Sequence, residues 1–214
     1  MRGVFVTGTD TEVGKTYQAC RLARCLSNRY QVGAYKPAAS GITDGIKADH
    51  VLLAEAANLQ SRFGPDIVSK VCPQTYDLPL APPVAAKLRG GQVDEKLLLD
   101  GAKWWNDNCD FLIVEGVGGL LCPLSHSLRV TDLAKQLAYP LIIVAANRLG
   151  VVNHTLMTVE LASGEGLKVL GIILNDLAPA NAEDVSKQTN RQLLEEWTPG
   201  IPVVDHAEDL AELL

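Results

Sequence analysis

Short apolar runs recur along the chain, each followed by a turn and then by residues whose apolar positions fall at helical spacing. The runs are Gly3 to Gly8 (GVFVTG), Gln31 to Pro37 (QVGAYKP), Asp110 to Gly116 (DFLIVEG), Pro140 to Asn147 (PLIIVAAN), Lys168 to Asp176 (KVLGIILND) and Ile201 to Asp205 (IPVVD). Several are hydrophobic without alternation, the pattern of strands buried on both faces of a parallel sheet. Between them, Lys15 to Asn28 sets Ala19, Leu22, Ala23 and Leu26 along one stripe. Asp49 to Asn58, Val93 to Asn106, Val152 to Ser163 and Ala182 to Trp197 also read as helices, and VTDLAKQL (130–137) offers Thr131 or Asp132 as N-cap. This alternation implies right-handed crossovers and an α/β fold, a doubly wound, mostly parallel sheet flanked by helices. Ligands of such sheets sit beyond the carboxyl ends of the strands. The segment Cys72 to Pro83, CPQTYDLPLAPP, has four prolines and no helical period, so it reads as an ordered loop on the surface or at the site. No repeat or linker interrupts the pattern, and a single domain over 1–214 is expected.

The first strand runs into VFVTGTDTEVGKTY, Val4 to Tyr17. A phosphate-binding loop of the form G-x-x-x-x-G-K-[ST] has four residues between its glycines, but five separate Gly8 from Gly14 here. Strand, Gly14-Lys15-Thr16 and helix still stand in the register such a loop requires. Backbone N–H groups at the helix start, with the helix dipole behind them, favour phosphate oxygens. Lys15 supplies a mobile cation for the β- and γ-phosphates, and the Thr16 hydroxyl suits Mg²⁺. The other reading is a glycine turn capped by Asp10 or Thr11. In the first reading the extra residue widens the loop mouth and frees Thr9 to Glu12 to face a second substrate. Two more cues point the same way. FLIVEGVGG ends an apolar strand in Glu115 and continues into Gly116, Gly118 and Gly119, where a hard cation would find a carboxylate. AYKPAASG, Ala34 to Gly41, places Lys36 at a strand end just before Pro37, directed into the ligand crevice. Each has a plainer alternative, a surface charge closing a strand.

Composition narrows the setting. With 214 residues, 47% hydrophobic and 21% charged, the chain has a packed core rather than disorder. A net charge of −6 argues against broad binding to nucleic acid or anionic membranes. The five cysteines (Cys20, Cys25, Cys72, Cys109, Cys122) show no C-x-x-C spacing and read as buried thiols of a reducing compartment. The four histidines have no zinc-ligand spacing. Val4 to Val6 is too short for a secretory segment, and no run reaches the roughly 20 residues that span a bilayer. A cytoplasmic protein with neither nucleic acid nor membrane as partner is expected.

Taken in order, FVTGTDTEVGKT, YKPAASG, the isolated Asp49, YDLPLAPP, LIVEGVGGLLCPLS, NRLGVVNHTLMT and ILND resemble the dethiobiotin synthetase family across nearly the whole chain. The five-residue loop spacing is itself a mark of that family. The resemblance implies a P-loop NTPase fold and a ligase that uses ATP, Mg²⁺ and CO₂ to close the ureido ring of 7,8-diaminononanoate in biotin synthesis. It implies that Glu12, Val13, Gly14, Lys15, Thr16 and Tyr17 hold the ATP phosphates. Thr16, Asp49 and Glu115 would surround Mg²⁺. Lys15 and Lys36 would be the catalytic pair, stabilising charge on the carbamate and the transferring phosphoryl group. Thr11 and Ser40 would contact the carbamate or diamine, and Gly116, Val117 and Gly118 would line the site. Asn175 and Asp176 would read the adenine edge, with Pro202, Val203 and Val204 as the last nucleotide segment. The family pattern has a bulkier apolar pair there, so IPVVD implies a looser adenine end. The resemblance also implies a homodimer whose substrate site lies at the subunit interface, with the substrate carboxylate at Gly150 to Asn153. Without it, that stretch reads equally well as a β–α turn with Asn153 as N-cap. His154 reads as structural, and Trp104-Trp105 as core or interface packing.

Two other classes share the pattern. A partitioning-type or septum-positioning ATPase has the same fold but carries a lysine near the start of its loop, where this chain has GTDTEV. Such proteins often end in a basic amphipathic helix, whereas DHAEDLAELL is acidic. An amidotransferase-type synthetase would attach a glutaminase domain, for which 214 residues leave no room.

Overall fold

All six apolar runs form strands: β1 (Arg2–Gly8), β2 (Val32–Tyr35), β3 (Phe111–Glu115), β4 (Leu141–Ala146), β5 (Val169–Asn175) and β6 (Val203–Val204). The computed structural model describes residues 2–43, 45–177 and 184–214. Its sheet has the order β2-β3-β1-β4-β5-β6, and every pairing is parallel. β1 lies inside, with Val4 opposite Ile113 and Phe5 opposite Leu141. Later strands therefore flank the earliest one on both sides, and the loops at their carboxyl ends converge beyond β1 and β3.

The lack of alternation in the strands has a direct cause. Successive side chains point to opposite faces, and both faces are covered. On β4, Ile142 and Val144 enter the larger core, while Ile143 and Ala145 enter a second cluster with Ile172 and Leu174 of β5. Helices supply the cover: α1 (Lys15–Leu26), α2 (Asp49–Ala56), α3 (Leu59–Phe63), α4 (Val68–Val71), α5 (Pro82–Leu88), α6 (Glu95–Trp104), α7 (Val130–Leu137), α8 (Val151–Gly164) and α9 (Lys187–Trp197). The first residues of the expected 182–197 helix lie outside the described residues. Helices α3, α4 and α5 were not expected, because each is too short for a 3.6-residue period to show.

One capping expectation is corrected. Neither Thr131 nor Asp132 is the N-cap of α7; Arg129 is, and Asp132 sits at the third helical position. Its carboxylate accepts the Arg129 backbone N–H at 2.7 Å, the return arm of a capping box, so the helix starts earlier than its side chains suggest. Thr131 is buried instead and donates to the Leu120 carbonyl at 2.6 Å.

The proline-rich segment is an ordered loop as far as Ala81, after which Pro82 opens α5 at a position where no N–H is needed. It pairs along residues 39–42, with Tyr76 N–H donating to the Ala39 carbonyl at 2.8 Å and Gly41 N–H to the Leu78 carbonyl at 3.1 Å. Trp105 is a fully buried core residue, edge-on to Trp104 at 4.9 Å. Of the cysteines, Cys20 and Cys72 are buried, and burial pushes their thiols up to about 11 and about 12. Cys25, Cys109 and Cys122 are only partly buried. No helix among the described residues is long and apolar enough to cross a membrane.

Ile113 of β3 is completely buried between β1 and β2. Ile113→Ala is expected to lower unfolding free energy by about 2–5 kcal/mol. Urea denaturation checks this, and a loss well under that range would mean the sheet centre is not close-packed.

Candidate active site

The loop between β1 and α1 doubles back at two left-handed residues, Glu12 (φ 56) and Gly14 (φ 92). Gly14 admits no other residue easily, since a Cβ there would run into the Asn175 side-chain amide. α1 then begins at Lys15 with no side-chain cap, so its first N–H groups remain available. Lys15 is buried and donates from Nζ to the Asp10 carbonyl at 2.7 Å, which folds the loop over its own cation. Burial lowers the Lys15 pKa, partly offset by the Glu115 carboxylate and reinforced by the nearby charge of Lys36.

Across the cavity, Lys36 follows β2 directly and is 5% exposed. Its Nζ donates to Glu115 Oε1 at 2.5 Å and to Asp49 Oδ2 at 2.7 Å. Burial alone would pull this ammonium down, but the Glu115 and Asp49 carboxylates more than reverse it, and Lys36 is held above the ordinary lysine range. Asp49, the first residue of α2, shows the converse. Burial would raise it, yet the Lys36 charge and hydrogen bond bring it below the usual carboxylate value. Glu115 closes β3 and is fully buried. The Thr16 hydroxyl donates to the same Oε1 at 2.8 Å. Four elements thus bring two carboxylates, a hydroxyl and an ammonium together. Glu115 Oε2 and Ser40 Oγ are buried and have no hydrogen-bond partner among the described residues, which leaves both able to bond a ligand.

These groups open into one cavity of about 690 Å³. Its floor carries Thr11, Glu12, Gly14, Lys15 and Thr16 of the loop, with Lys36, Asp49 and Glu115 beside them. Ser40 and the glycine turn Gly116, Val117 and Gly118 complete the predicted lining. Such a volume suits a ligand with several polar groups.

The remaining predicted residues lie elsewhere. Val13 is core, and Tyr17 is exposed on α1 with its hydroxyl bonded to Arg21 at 2.9 Å. Asn175 is buried behind the loop, where Nδ2 donates to the Val13 carbonyl at 2.9 Å. Asp176 is paired with Lys187 at 3.0 Å. Pro202, Val203 and Val204 form the β6 edge, with the Pro202 carbonyl accepting from Ile172 N–H at 2.9 Å. Gly150 is the N-cap of α8, which corrects the alternative of Asn153 as cap; Asn153 lies inside the helix and is exposed. His154, read as structural, also lies on the exposed side.

Sequence reasoning missed Ala39, Gly41, Pro79, Leu80, Ala81 and Cys122, which also face the cavity. It also missed Gln18, a polar residue on the apolar stripe of α1, whose position was a visible signal. No group of three or more His, Cys, Asp or Glu side chains among the described residues is arranged to hold a metal. The donors present are two carboxylates and a hydroxyl.

A family model described as an AAA domain matches residues 2–210. Proteins named ATP-dependent dethiobiotin synthetase BioD match almost end to end. The one from Anaeromyxobacter dehalogenans is 40% identical, covering 94% of this chain and 92% of its own. That from Bacillus subtilis is 39% identical over 100% of this chain and 90% of its own. The chain belongs to the dethiobiotin synthetase family. As a dethiobiotin synthetase it is an ATP-dependent ligase. Solved structures agree on the fold: a ParA family ATPase from Chlorobium tepidum superposes with a TM-score of 0.54 at 16% identity, covering 99% of this chain and 87% of that one. The MinC:MinD complex of Aquifex aeolicus gives 0.54 at 12% identity, covering 100% and 86%. At that distance the likeness speaks for architecture alone, and the partitioning-ATPase alternative gains nothing beyond it.

Gly14→Ala forces a side chain into a left-handed backbone and against Asn175. It is expected to weaken ADP binding at least about tenfold, a left-handed residue alone costing about 1–2 kcal/mol. Calorimetric titration reads this, and unchanged affinity would mean the loop binds in another shape.

Proposed function

We propose that this dethiobiotin synthetase carboxylates and cyclises 7,8-diaminononanoate, using ATP and CO₂ or bicarbonate, to give dethiobiotin, ADP and phosphate for biotin synthesis. The observation that carries this reading is Lys36, clamped between Asp49 and Glu115 and facing the Lys15 loop across one cavity. An amine of the substrate adds to CO₂ and loses a proton, forming a carbamate. A carbamate oxygen attacks the γ-phosphorus as the bond to ADP breaks, leaving a carbamic-phosphoric anhydride. The second amine attacks the anhydride carbon, and phosphate departs as the ring closes.

The protein's part is positioning and charge neutralisation. The open N–H groups of α1 and the cation of Lys15 receive the triphosphate. Lys36 meets the carbamate and the phosphoryl group in flight, with the Ser40 hydroxyl and Thr11 beside the diamine. Mg²⁺ fits the donor set: Thr16, Asp49 and Glu115 offer hard oxygen ligands, one of them the unpartnered Glu115 Oε2, with phosphate oxygens to complete the shell. Bound there, it would neutralise charge on the β- and γ-phosphates. The Lys36 ammonium bonds the same two carboxylates. Adenine is proposed to lie toward Asn175, Asp176 and the 202–204 edge.

The far carboxylate of the substrate needs its own anion site, which we assign to Gly150–Asn153 across a homodimer interface. In support, α8 has Gly150 as its N-cap and no side-chain cap, although Val151 N–H donates to the Arg148 carbonyl at 3.1 Å. Leu149 and Met157 flank it at 81% and 60% exposed, an apolar surface suited to a second subunit. A cytoplasmic location is consistent with the buried thiols.

An assay with ATP, Mg²⁺, bicarbonate and the diamine, scoring ring closure and phosphate release together, tests the reaction. In it, Lys36→Ala is expected to lose about 10²–10³-fold in kcat, the scale of one charge-stabilising donor, with the sheet intact by circular dichroism. Near-normal turnover removes Lys36 from the chemistry. Separately, the diamine lacking its carboxylate is expected to show a KM raised about tenfold or more; equal KM values would sink the α8 assignment.

A further inference from the structure

Helix α1 turns one amide, Gln18, into its buried face alongside Ala19 and Leu22, and the residue is completely shielded from solvent. A polar group is tolerated there only if its donors and acceptors are met. Its side-chain partners among the described residues are Asn175, at the end of β5 beside the phosphate loop, and the segment after β6. Nε2 donates to Asn175 Oδ1 at 2.9 Å and to the Asp205 carbonyl at 3.1 Å. Oε1 accepts the Ala207 backbone N–H at 3.0 Å. Asn175 then donates from Nδ2 to the Val13 carbonyl, one peptide before Gly14, at 2.9 Å.

The orientations in this chain of bonds are forced. Ala207 N–H can only donate and the Asp205 carbonyl can only accept, so Gln18 has a single arrangement. That arrangement presents an N–H to Asn175, whose carbonyl must accept and whose amino group must face Val13. Each bond polarises the next, and together they join the segment after β6, helix α1, the end of β5 and the phosphate loop. The contact with Asn175 is also what excludes a side chain at Gly14.

We propose that Gln18 is a positioning residue for the nucleotide. It locks the Asn175 amide against the phosphate loop and ties that loop to segment 202–207 on the nucleoside side. This rests on the reading of the loop as the ATP site. Gln18 itself does not line the cavity, so it acts through Asn175 and Val13. The Arg21–Glu208 ion pair, with Nε to Oε2 at 2.9 Å, holds the same segment from outside, so loss of Gln18 does not release it wholesale.

Gln18→Met keeps length and apolar bulk but removes both donors and the acceptor. Gln18→Glu keeps an acceptor for Ala207 yet cannot donate to Asn175. Both are expected to raise the KM for ATP and the Kd for ADP about tenfold, with kcat at saturating ATP and the KM for diamine within about twofold. Asn175→Ala, on the proposed adenine side, is expected to raise the Kd for ADP, and the double variant Gln18→Met/Asn175→Ala to bind ADP no more weakly than the worse single within about twofold, since one path carries both effects. A lowered thermal midpoint with unchanged KM for ATP, or additive losses in the double variant, overturns the proposal. If Gln18→Met does not fold, Gln18→Glu carries the same expectation and the same refutation. A wild-type protein that fails to bind ADP overturns the ATP-site reading and this inference together. Wild-type binding with unaltered Gln18 variants overturns this inference alone.

Discussion

A lysine ammonium held between two carboxylates at the edge of an apolar sheet governs the arrangement around it. Lys36 directly follows β2, Glu115 ends β3, Asp49 begins α2 and Thr16 lies in the first turn of α1. Withdrawing such charges from water costs free energy that their mutual attraction returns only in good geometry. A structure selected for stability alone would do as well with apolar residues there. The cluster is therefore read as a chemical site rather than a packing device. The parallel sheet makes the meeting possible. When all strands run one way, their carboxyl ends and the loops that follow lie on one side.

Much of this was legible from the chain. Strands covered on both faces have no polar alternation to conceal them, so their positions stood out. The glycine loop and Glu115 were readable because each joins a strand end to residues of unusual conformational freedom. Other features have no local signature. Asp49 meets Lys36 through tertiary folding alone. Helices α3 to α5 are shorter than two full periods, and α7 begins before the residue that looks like its cap. Gln18 was visible as an oddity on an apolar stripe, but its partners Asn175 and Asp205 lie 157 and 187 positions away. Asn175 illustrates the same limit. An amide suited to adenine recognition is also suited to bracing a peptide, and here it braces Val13.

The fold is shared with a ParA family ATPase and with the MinC:MinD complex, so it cannot by itself set the reaction. Around the cavity, residues 74–78 pair with 39–42, and Pro79 to Ala81 join Thr11 and Glu12 of the phosphate loop in its lining.

The internal place of β1 has a consequence during synthesis. The strand is made well before its neighbours in the sheet, which include Ile113 and Leu141. A segment buried along nearly its whole length must remain without its sheet until those partners arrive. Until β3 and β4 have been made the nascent protein carries an unsheltered, adhesive strand, and a product interrupted before β4 would leave that strand open to aggregation or to capture by chaperones.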